Sequence, residues 1–385
     1  MREIYFDNSA TTKMSERAKE KMIKAIEQNY GNPSSLHSIG LGAERLISEA
    51  RGIILSSLGI LRPQRGELVF TAGGTEANNL AIIGTALAKS RKGGEKILIT
   101  EGEHSSVEEC ARHLEAKGFV VTRVPTKNGA LDMDFIRANA KGTILCSFMH
   151  VNNETGALYN IKEAFEIVRD ASPDCVMHAD CVQSYLKVKF TKKSIGADLI
   201  SISAHKVNGP KGVGALYISP ELLKAKKIIP IVFGGGQEFG LRSGTENVYG
   251  ICGFGEAVKE HTGDLVAEIN HMSELKEYII STLPAEIRAN LPINSAPHIL
   301  NITLPKIKSE TALHALSAKG IYVSSGSACS SNSAHKASRA LLAFGISEDE
   351  ADSSIRISLC PQSTKDEADE LIQALAEITK QLVRK

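Results

Sequence analysis

A chain of 385 residues is too long for one simple core and suits a large domain with a smaller one beside it. Its 42% hydrophobic and 23% charged residues are those of an ordinary globular protein, and a formal net charge of +1 gives no global attraction to nucleic acid or to a membrane. No Lys/Arg block occurs, no apolar run is long enough to span a bilayer, and MREIYFDNSATT lacks the apolar core of a secretion signal, so a cytoplasmic location is expected.

The seven cysteines are scattered at 110, 146, 175, 181, 252, 329 and 360, without a CxxC pair. That spacing argues against zinc, and an odd number in an intracellular chain argues against a disulfide framework. No metal site is expected.

Residues 1–12 read as a short strand and a polar turn, FDNSATT. Lys13–Tyr30 is helical, with apolar residues at helix spacing and Ser15 as its N-cap. A loop, GNPSSLHSIG, precedes a helix over Leu41–Leu58 and a strand over Glu67–Thr71. That strand runs into AGGTEANNLAIIGTALA. Strand, Gly-Gly-Thr, then helix is an anion-binding arrangement, because the glycines admit a ligand to the helix N-terminus and Thr75 adds a hydroxyl; it is equally a tight turn with no ligand. It is neither GxGxxG nor a P-loop, so a dinucleotide or a nucleoside triphosphate is not indicated.

Strands and helices then alternate. Strand Lys96–Thr100 leads to His104 at a helix start. Strand Val120–Val124 and helix Asp132–Asn139 come next. Strand Thr143–Phe148 ends in MHVNNETG, helix Lys162–Asp170 follows, and strand Cys175–His178 ends in ADCVQS. Strand Asp198–Ser203 ends in His205 and Lys206, before a Gly/Pro turn and a further apolar strand. Alternation with strongly apolar strands predicts a largely parallel sheet covered on both faces, which binds ligands beyond its carboxyl edge. Thr75, His104, Asn153, Asp180, Ser203, His205 and Lys206 all fall at that edge. Lys206 is either a solvated strand-end lysine or a desolvated amine able to attack a carbonyl.

Beyond Ile218, VFGGGQEFGLRSGTEN is a Gly-rich loop, either flexible or pinned against a ligand or another subunit. Helix Val248–His261 continues near Leu265–Leu283. The last third reads as strand Ile299–Leu304, helix Ser309–Lys319, strand Tyr322–Ser324, a loop, helix Ala334–Phe344, strand Ser354–Leu359 and helix Thr364–Val383. The loop VSSGSACSSNSAHKAS carries Cys329, which is either incidental or a carrier of reactive sulfur. Arg356, in the alternating strand SIRISL, either meets solvent or anchors an anion.

The stretches SAHKVNGPKG, FTAGGTEANN, HVNNETG, HADCVQS, RSGTEN and SSGSACSS together resemble the NifS/IscS-like cysteine desulfurases, in the class V aminotransferase group of fold-type I pyridoxal-phosphate enzymes. The resemblance spans nearly the whole chain. It implies an α/β large domain over 15–260, with a mostly parallel sheet flanked by helices. A smaller α+β domain takes 1–14 and 261–385 and carries the Cys329 loop and Arg356. It further implies that Lys206 joins pyridoxal 5'-phosphate through an imine, that Asp180 pairs with the pyridine nitrogen, and that Gln183 bonds the ring hydroxyl. His104 would stack on the ring and serve catalysis by taking part in proton transfers. Gly74, Thr75, Ser203 and His205 would hold the phosphate, with Thr245 reaching it from the partner subunit of a homodimer. Arg356 and Asn153 would bind the substrate carboxylate, and Asn32 is a further candidate at that end.

The implied reaction takes sulfur from L-cysteine. Lys206 moves the Cα proton, and the Cys329 thiolate takes the sulfur as a persulfide, leaving L-alanine. The sulfur then passes to an acceptor protein, for iron–sulfur assembly or for tRNA or cofactor thiolation. Another class V enzyme, a selenocysteine lyase or an aminotransferase, is the alternative. Two departures from the family stand out: Leu359-Cys360-Pro361-Gln362 where Gly-Arg-Phe is common after the arginine, and Cys181 after Asp180. The Arg-x-Gly-His-His-Cys-Ala setting of the second desulfurase class does not occur.

Overall fold

Seven short apolar strands share one sheet in the computed structural model, which describes residues 2–89, 95–325 and 338–382. In chain order they are β1 (Leu68–Thr71), β2 (Lys96–Thr100), β3 (Val120–Val124), β4 (Thr143–Met149), β5 (Val176–Asp180), β6 (Leu199–Ser203) and β7 (Gly214–Ile218). Their spatial order is β1-β7-β6-β5-β4-β2-β3. All neighbours from β6 to β3 are parallel, and only β7 runs against both of its neighbours. Side chains alternate between two buried clusters. Leu98, Cys146, Met177 and Ile200 enter one face, and Ile97, Leu145, Val176 and Leu199 the other. Burial on both faces is why most of these strands are rich in apolar residues, the edge strand β3 being the more exposed.

Helices cover the two faces. On one lie α1 (Glu16–Gln28), α2 (Ser38–Ser57) and the long α7, which runs Val248–Thr282 and is broken at Asp264. On the other lie α3 (Gly74–Lys89) and α4 (Ser105–Glu115); α5 (Met133–Asn139) and α6 (Ile161–Ala171) complete the first face. Ser15 caps α1, its Oγ accepting from Ala18 N at 3.2 Å. No helix of the described residues is long and apolar enough to cross a membrane.

A second, four-stranded sheet follows α7. Its strands are β8 (Arg288–Ala289), β9 (Ile299–Thr303), β10 (Ser324–Ser325) and β11 (Ser354–Ser358), in the order β8-β9-β11-β10. Its apolar cluster joins Ile302, Ile355 and Ile357 to α8 (Ser309–Ser317), α10 (Lys365–Leu382) and the N-terminal residues Ile4 and Phe6. The N-terminus is tied in because Ile4–Tyr5 pairs in parallel with Ile321–Tyr322.

Three expected elements differ. The helix expected from Leu41 begins at Ser38, because His37 Nδ1 accepts from Gly40 N and serves as its cap. The single strand expected over Tyr322–Ser324 is two short ones in different sheets, turning between Tyr322 and Ser324. The helix expected over Ala334–Phe344 is described as α9 (Arg339–Phe344), with Ser338 as its N-cap. One hairpin was not anticipated. Asn128 and Gly129, with φ of 50° and 77°, turn the chain between Thr126–Lys127 and Ala130–Leu131, the conformation an Asn-Gly pair favours. Asn128 N then donates to Phe344 O at 3.1 Å and docks α9 beside the large sheet.

Candidate active site

The carboxyl edge of β1, β2, β4, β5 and β6 opens on a cavity of about 320 Å³. Each of these strands delivers cavity-lining residues there. Gly74 and Thr75 follow β1, His104 follows β2, Asn153 follows β4, Asp180 ends β5, and Ser203 ends β6 with His205 and Lys206 just after it. Gln183 joins from the turn after Asp180, and Arg356 crosses from β11. Ser324 and Ser325 of β10 line the same space, so both sheets contribute to it.

Lys206 ends a single 3₁₀ turn, Ala204–Lys206, which swings its chain away from the sheet. Its Nζ donates to Ser9 O at 2.6 Å and Ala10 O at 2.8 Å. Both carbonyls belong to the FDNSATT turn, which Thr12 N fixes by donating to His205 O at 2.9 Å. Two main-chain carbonyls thus hold the amine in place.

Asp180 is buried, and its two oxygens are separately engaged: Oδ1 accepts from Val182 N at 2.9 Å, and Oδ2 from Asn78 Nδ2 at 2.7 Å. The same Asn78 amide donates to Ser106 Oγ at 2.9 Å, and Ser106 Oγ and N both reach His104 Nδ1, at 2.9 and 3.1 Å. Asn78 therefore links the carboxylate to the imidazole. Because the Ser106 backbone N–H donates to Nδ1, that nitrogen accepts and the ring proton sits on Nε2. Burial lowers the His104 pKa, Asp180 opposes and Lys206 lowers it further, which favours the neutral ring.

Gly74 opens α3, whose first amides have no partner inside the helix. A Cβ on Gly74 would stand 2.7 Å from Val182 Cγ2, so only glycine leaves this approach open. Ser203 Oγ is buried with no hydrogen-bond partner among the described residues, a costly state that an anion's oxygen would relieve. His205 Nδ1 meets Thr11 Oγ1 at 3.2 Å; burial, with Lys206, Lys211 and Lys187, pushes its pKa down to about 4. Gln183 spends its Nε2 on Ser9 O at 2.9 Å and leaves Oε1 buried without a partner among the described residues.

Arg356 lies opposite Ser324 in register and is 7% exposed at the side chain. Nη2 pairs with Asp7 at 2.8 Å and Nη1 donates to Asn153 O at 2.9 Å, while Nε has no acceptor among the described residues. Of the two sequence alternatives, the arginine therefore turns inward.

Two expected site residues lie outside this cavity. Asn32 is exposed, its Oδ1 accepting from Ser34 N at 2.9 Å. Thr245 is exposed on a loop that Arg242 pins by an ion pair to Glu76 at 2.8 Å. Cys329 lies outside the described residues.

A model of the family described as "Aminotransferase class-V" matches residues 4–371. The chain is 38% identical to "Cysteine desulfurase IscS" of Dictyoglomus turgidum, an alignment covering 99% of this chain and 95% of the relative. A solved "NIFS-LIKE PROTEIN" superposes with a TM-score of 0.91 at 33% identity, covering 98% of this chain and 100% of that one. A second, "SspA in complex with cysteine", gives 0.81 at 31% identity, over 94% and 100%. The chain belongs to the NifS/IscS-like cysteine desulfurases of the class V aminotransferase family.

Enzymes of this class use pyridoxal 5'-phosphate, and the residues at this desulfurase's sheet edge fit such a group on chemical grounds. An amine, a buried carboxylate, a helix N-terminus walled so that a side chain cannot enter, and an orphaned serine hydroxyl converge there. Sequence reasoning did not single out Asn78, Ser106, Ser9 or Asp7. Asn78 stands within FTAGGTEANN one turn past Gly74, where helical periodicity would have pointed its side chain back at the sheet edge. Ser9 and Asp7 sit nearly 200 and 350 residues from their partners, and local pattern carries no trace of such pairings.

Proposed function

We propose that this desulfurase binds L-cysteine by its carboxylate at Arg356, with Asn153 fixing the guanidinium, and transfers the substrate sulfur to Cys329. Pyridoxal 5'-phosphate would be held by Lys206, by Asp180 at the pyridine nitrogen, by Gln183 at the ring hydroxyl, by His104 on the ring face, and by Gly74, Thr75, Ser203 and His205 at the phosphate. Bound there, it supplies an electrophilic carbon for the substrate amine and an electron sink for the Cα carbanion.

The chain's own groups do the rest. Lys206, once its amine is free, takes the Cα proton and returns it. Ser9 and Ala10 carbonyls keep that amine at the edge of β6. Asp180 would pair with the pyridine nitrogen, and Asn78 holds the carboxylate in place for that task. His104 stays neutral with its proton on Nε2, ready to donate or to stack. The Cys329 thiolate attacks the substrate sulfur: the S–S bond forms as the Cβ–S bond breaks, and the carbon fragment leaves with the electron pair and ends as L-alanine.

The observation that carries this reading is the convergence of Lys206, Asp180, His104 and Arg356 on one cavity. The similarity to SspA, solved in complex with cysteine, supports the choice of substrate. We further propose a cytoplasmic homodimer. Thr245, outside the cavity of its own chain, would then serve the phosphate in the partner subunit, and Asn32 would serve the substrate end of a pocket completed in the dimer. The persulfide sulfur passes to an acceptor protein, a scaffold of iron–sulfur assembly or a thiolation enzyme.

The test incubates holoenzyme with L-cysteine and measures alanine and protein-bound persulfide together. Equal early yields of both are expected, and Cys329→Ser should lose the persulfide and nearly all alanine. Full alanine production by that variant would overturn the assignment of Cys329.

A further inference from the structure

Glu154 follows Asn153 in the NNETG turn and has no part in the reaction as derived. Its Oε2 accepts a hydrogen bond from Ser338 Oγ at 2.5 Å. Ser338 caps α9 and is the first described residue after 326–337, the stretch that includes Cys329. The other side of that stretch is rooted in β10, where Ser324 stands opposite Arg356. Arg356 in turn donates to the carbonyl of Asn153, next to Glu154. The chain before the stretch and the chain after it are therefore both fastened around Arg356.

We propose that Glu154 is a positioning residue that couples a substrate carboxylate at Arg356 to the hold on Ser338, and so to the C-terminal root of the segment carrying Cys329. The proposal rests on the reading of Arg356 as the carboxylate site. Among the described residues, the charged groups near Glu154 are few. Arg356 favours its ionised form, Asp7 pairs with Arg356 from the far side at 2.8 Å, and Arg339, beside Ser338, is taken by Glu108 at 2.8 Å. An ionised Glu154 holds the Ser338 hydroxyl by a charge-assisted bond, roughly twice as strong as a neutral one. A carboxylate arriving at Arg356 neutralises the charge that favours ionisation and adds a like charge nearby. Burial already pushes the Glu154 pKa up to about 7, so a modest further rise protonates it at neutral pH. The neutral acid holds Ser338 less firmly. By linkage, substrate binding takes up a proton, and a proton at Glu154 favours substrate.

The test uses holoenzyme and L-alanine, a ligand with the same carboxylate and no sulfur. Proton uptake on binding is measured calorimetrically at pH 7 in buffers of different ionisation enthalpy. The parent is expected to take up a fraction of a proton that Glu154→Gln does not. The rate of persulfide formation from L-cysteine should show an inflection near neutral pH that Glu154→Gln lacks. Ser338→Ala, which removes the bond favouring the ionised acid, should move that inflection upward. Equal proton uptake in parent and Glu154→Gln, or an inflection unmoved in Ser338→Ala, overturns the coupling. Arg356→Met separates the two readings. If it binds L-alanine as well as the parent does, the carboxylate site is wrong. If it loses binding several-fold while Glu154→Gln changes nothing, only the coupling fails.

Discussion

Asn78 is the residue whose removal should disturb the most. Its two amide hydrogens serve Asp180 and Ser106, and through Ser106 they set the His104 tautomer. Hydrogen bonds to charged groups are worth about 1.5–3 kcal/mol, so Asn78→Ala should weaken cofactor affinity by about 10- to 100-fold, read by spectroscopic titration of the apoenzyme. Glu103 gives a different kind of prediction. It is buried behind Asp180, its Oε1 accepts from Thr100 Oγ1 at 2.7 Å and Met149 N at 2.8 Å, and burial pushes its pKa up to about 8. An acid whose folded pKa is raised stabilises the fold below its unfolded pKa, and that contribution is lost as pH rises through the folded pKa. Unfolding midpoints should therefore fall between about pH 5 and 8 in the parent. Glu103→Gln, which keeps the two acceptor contacts, should flatten that fall. An unchanged slope would mean that Glu103 is ionised in the folded protein.

Among the elements, the Gly-rich loop 232–247 is held by the Arg242–Glu76 pair and by a more deeply buried ion pair. Glu238 takes Arg51 of α2 at 2.7 and 3.0 Å and also accepts from Phe70 N of β1 at 2.7 Å. Phe239 adds its ring face to the same guanidinium, 4.9 Å from the centroid. Arg51→Ala would leave Glu238 buried and unpaired, a loss of about 3–5 kcal/mol in denaturant unfolding. Replacing both partners by apolar residues of similar size should cost less than the single change, because no charge is then left behind. If the single change moved the midpoint no more than a surface substitution, the Arg242–Glu76 pair and the rest of the loop would be carrying the hold.

For the whole molecule, the parallel sheet and the functional edge were legible because each rests on local pattern. Apolar strands announce burial on both faces, and a polar residue just beyond a strand stands at the edge wherever its neighbours are parallel. Thr75, His104, Asn153, Asp180, Ser203, His205 and Lys206 were read that way, and all seven line the cavity. Other features were hidden for physical reasons. Ile321–Tyr322 and Ser324–Ser325 look like one strand, since period-2 pattern does not say which sheet a residue joins. The Ser9 carbonyl that holds Lys206 is a backbone group with no side-chain signature. Asn32 and Thr245 came only from family likeness, and their positions outside the cavity leave their roles to the dimer proposed above.

The central claim is that the Lys206 amine carries the cofactor. Holoenzyme reduced with borohydride, digested and analysed by mass spectrometry tests it most directly. The account predicts a reduced pyridoxal-phosphate adduct on the peptide containing Lys206 and none in Lys206→Ala. An adduct confined to another lysine, with Lys206 unmodified, would contradict it.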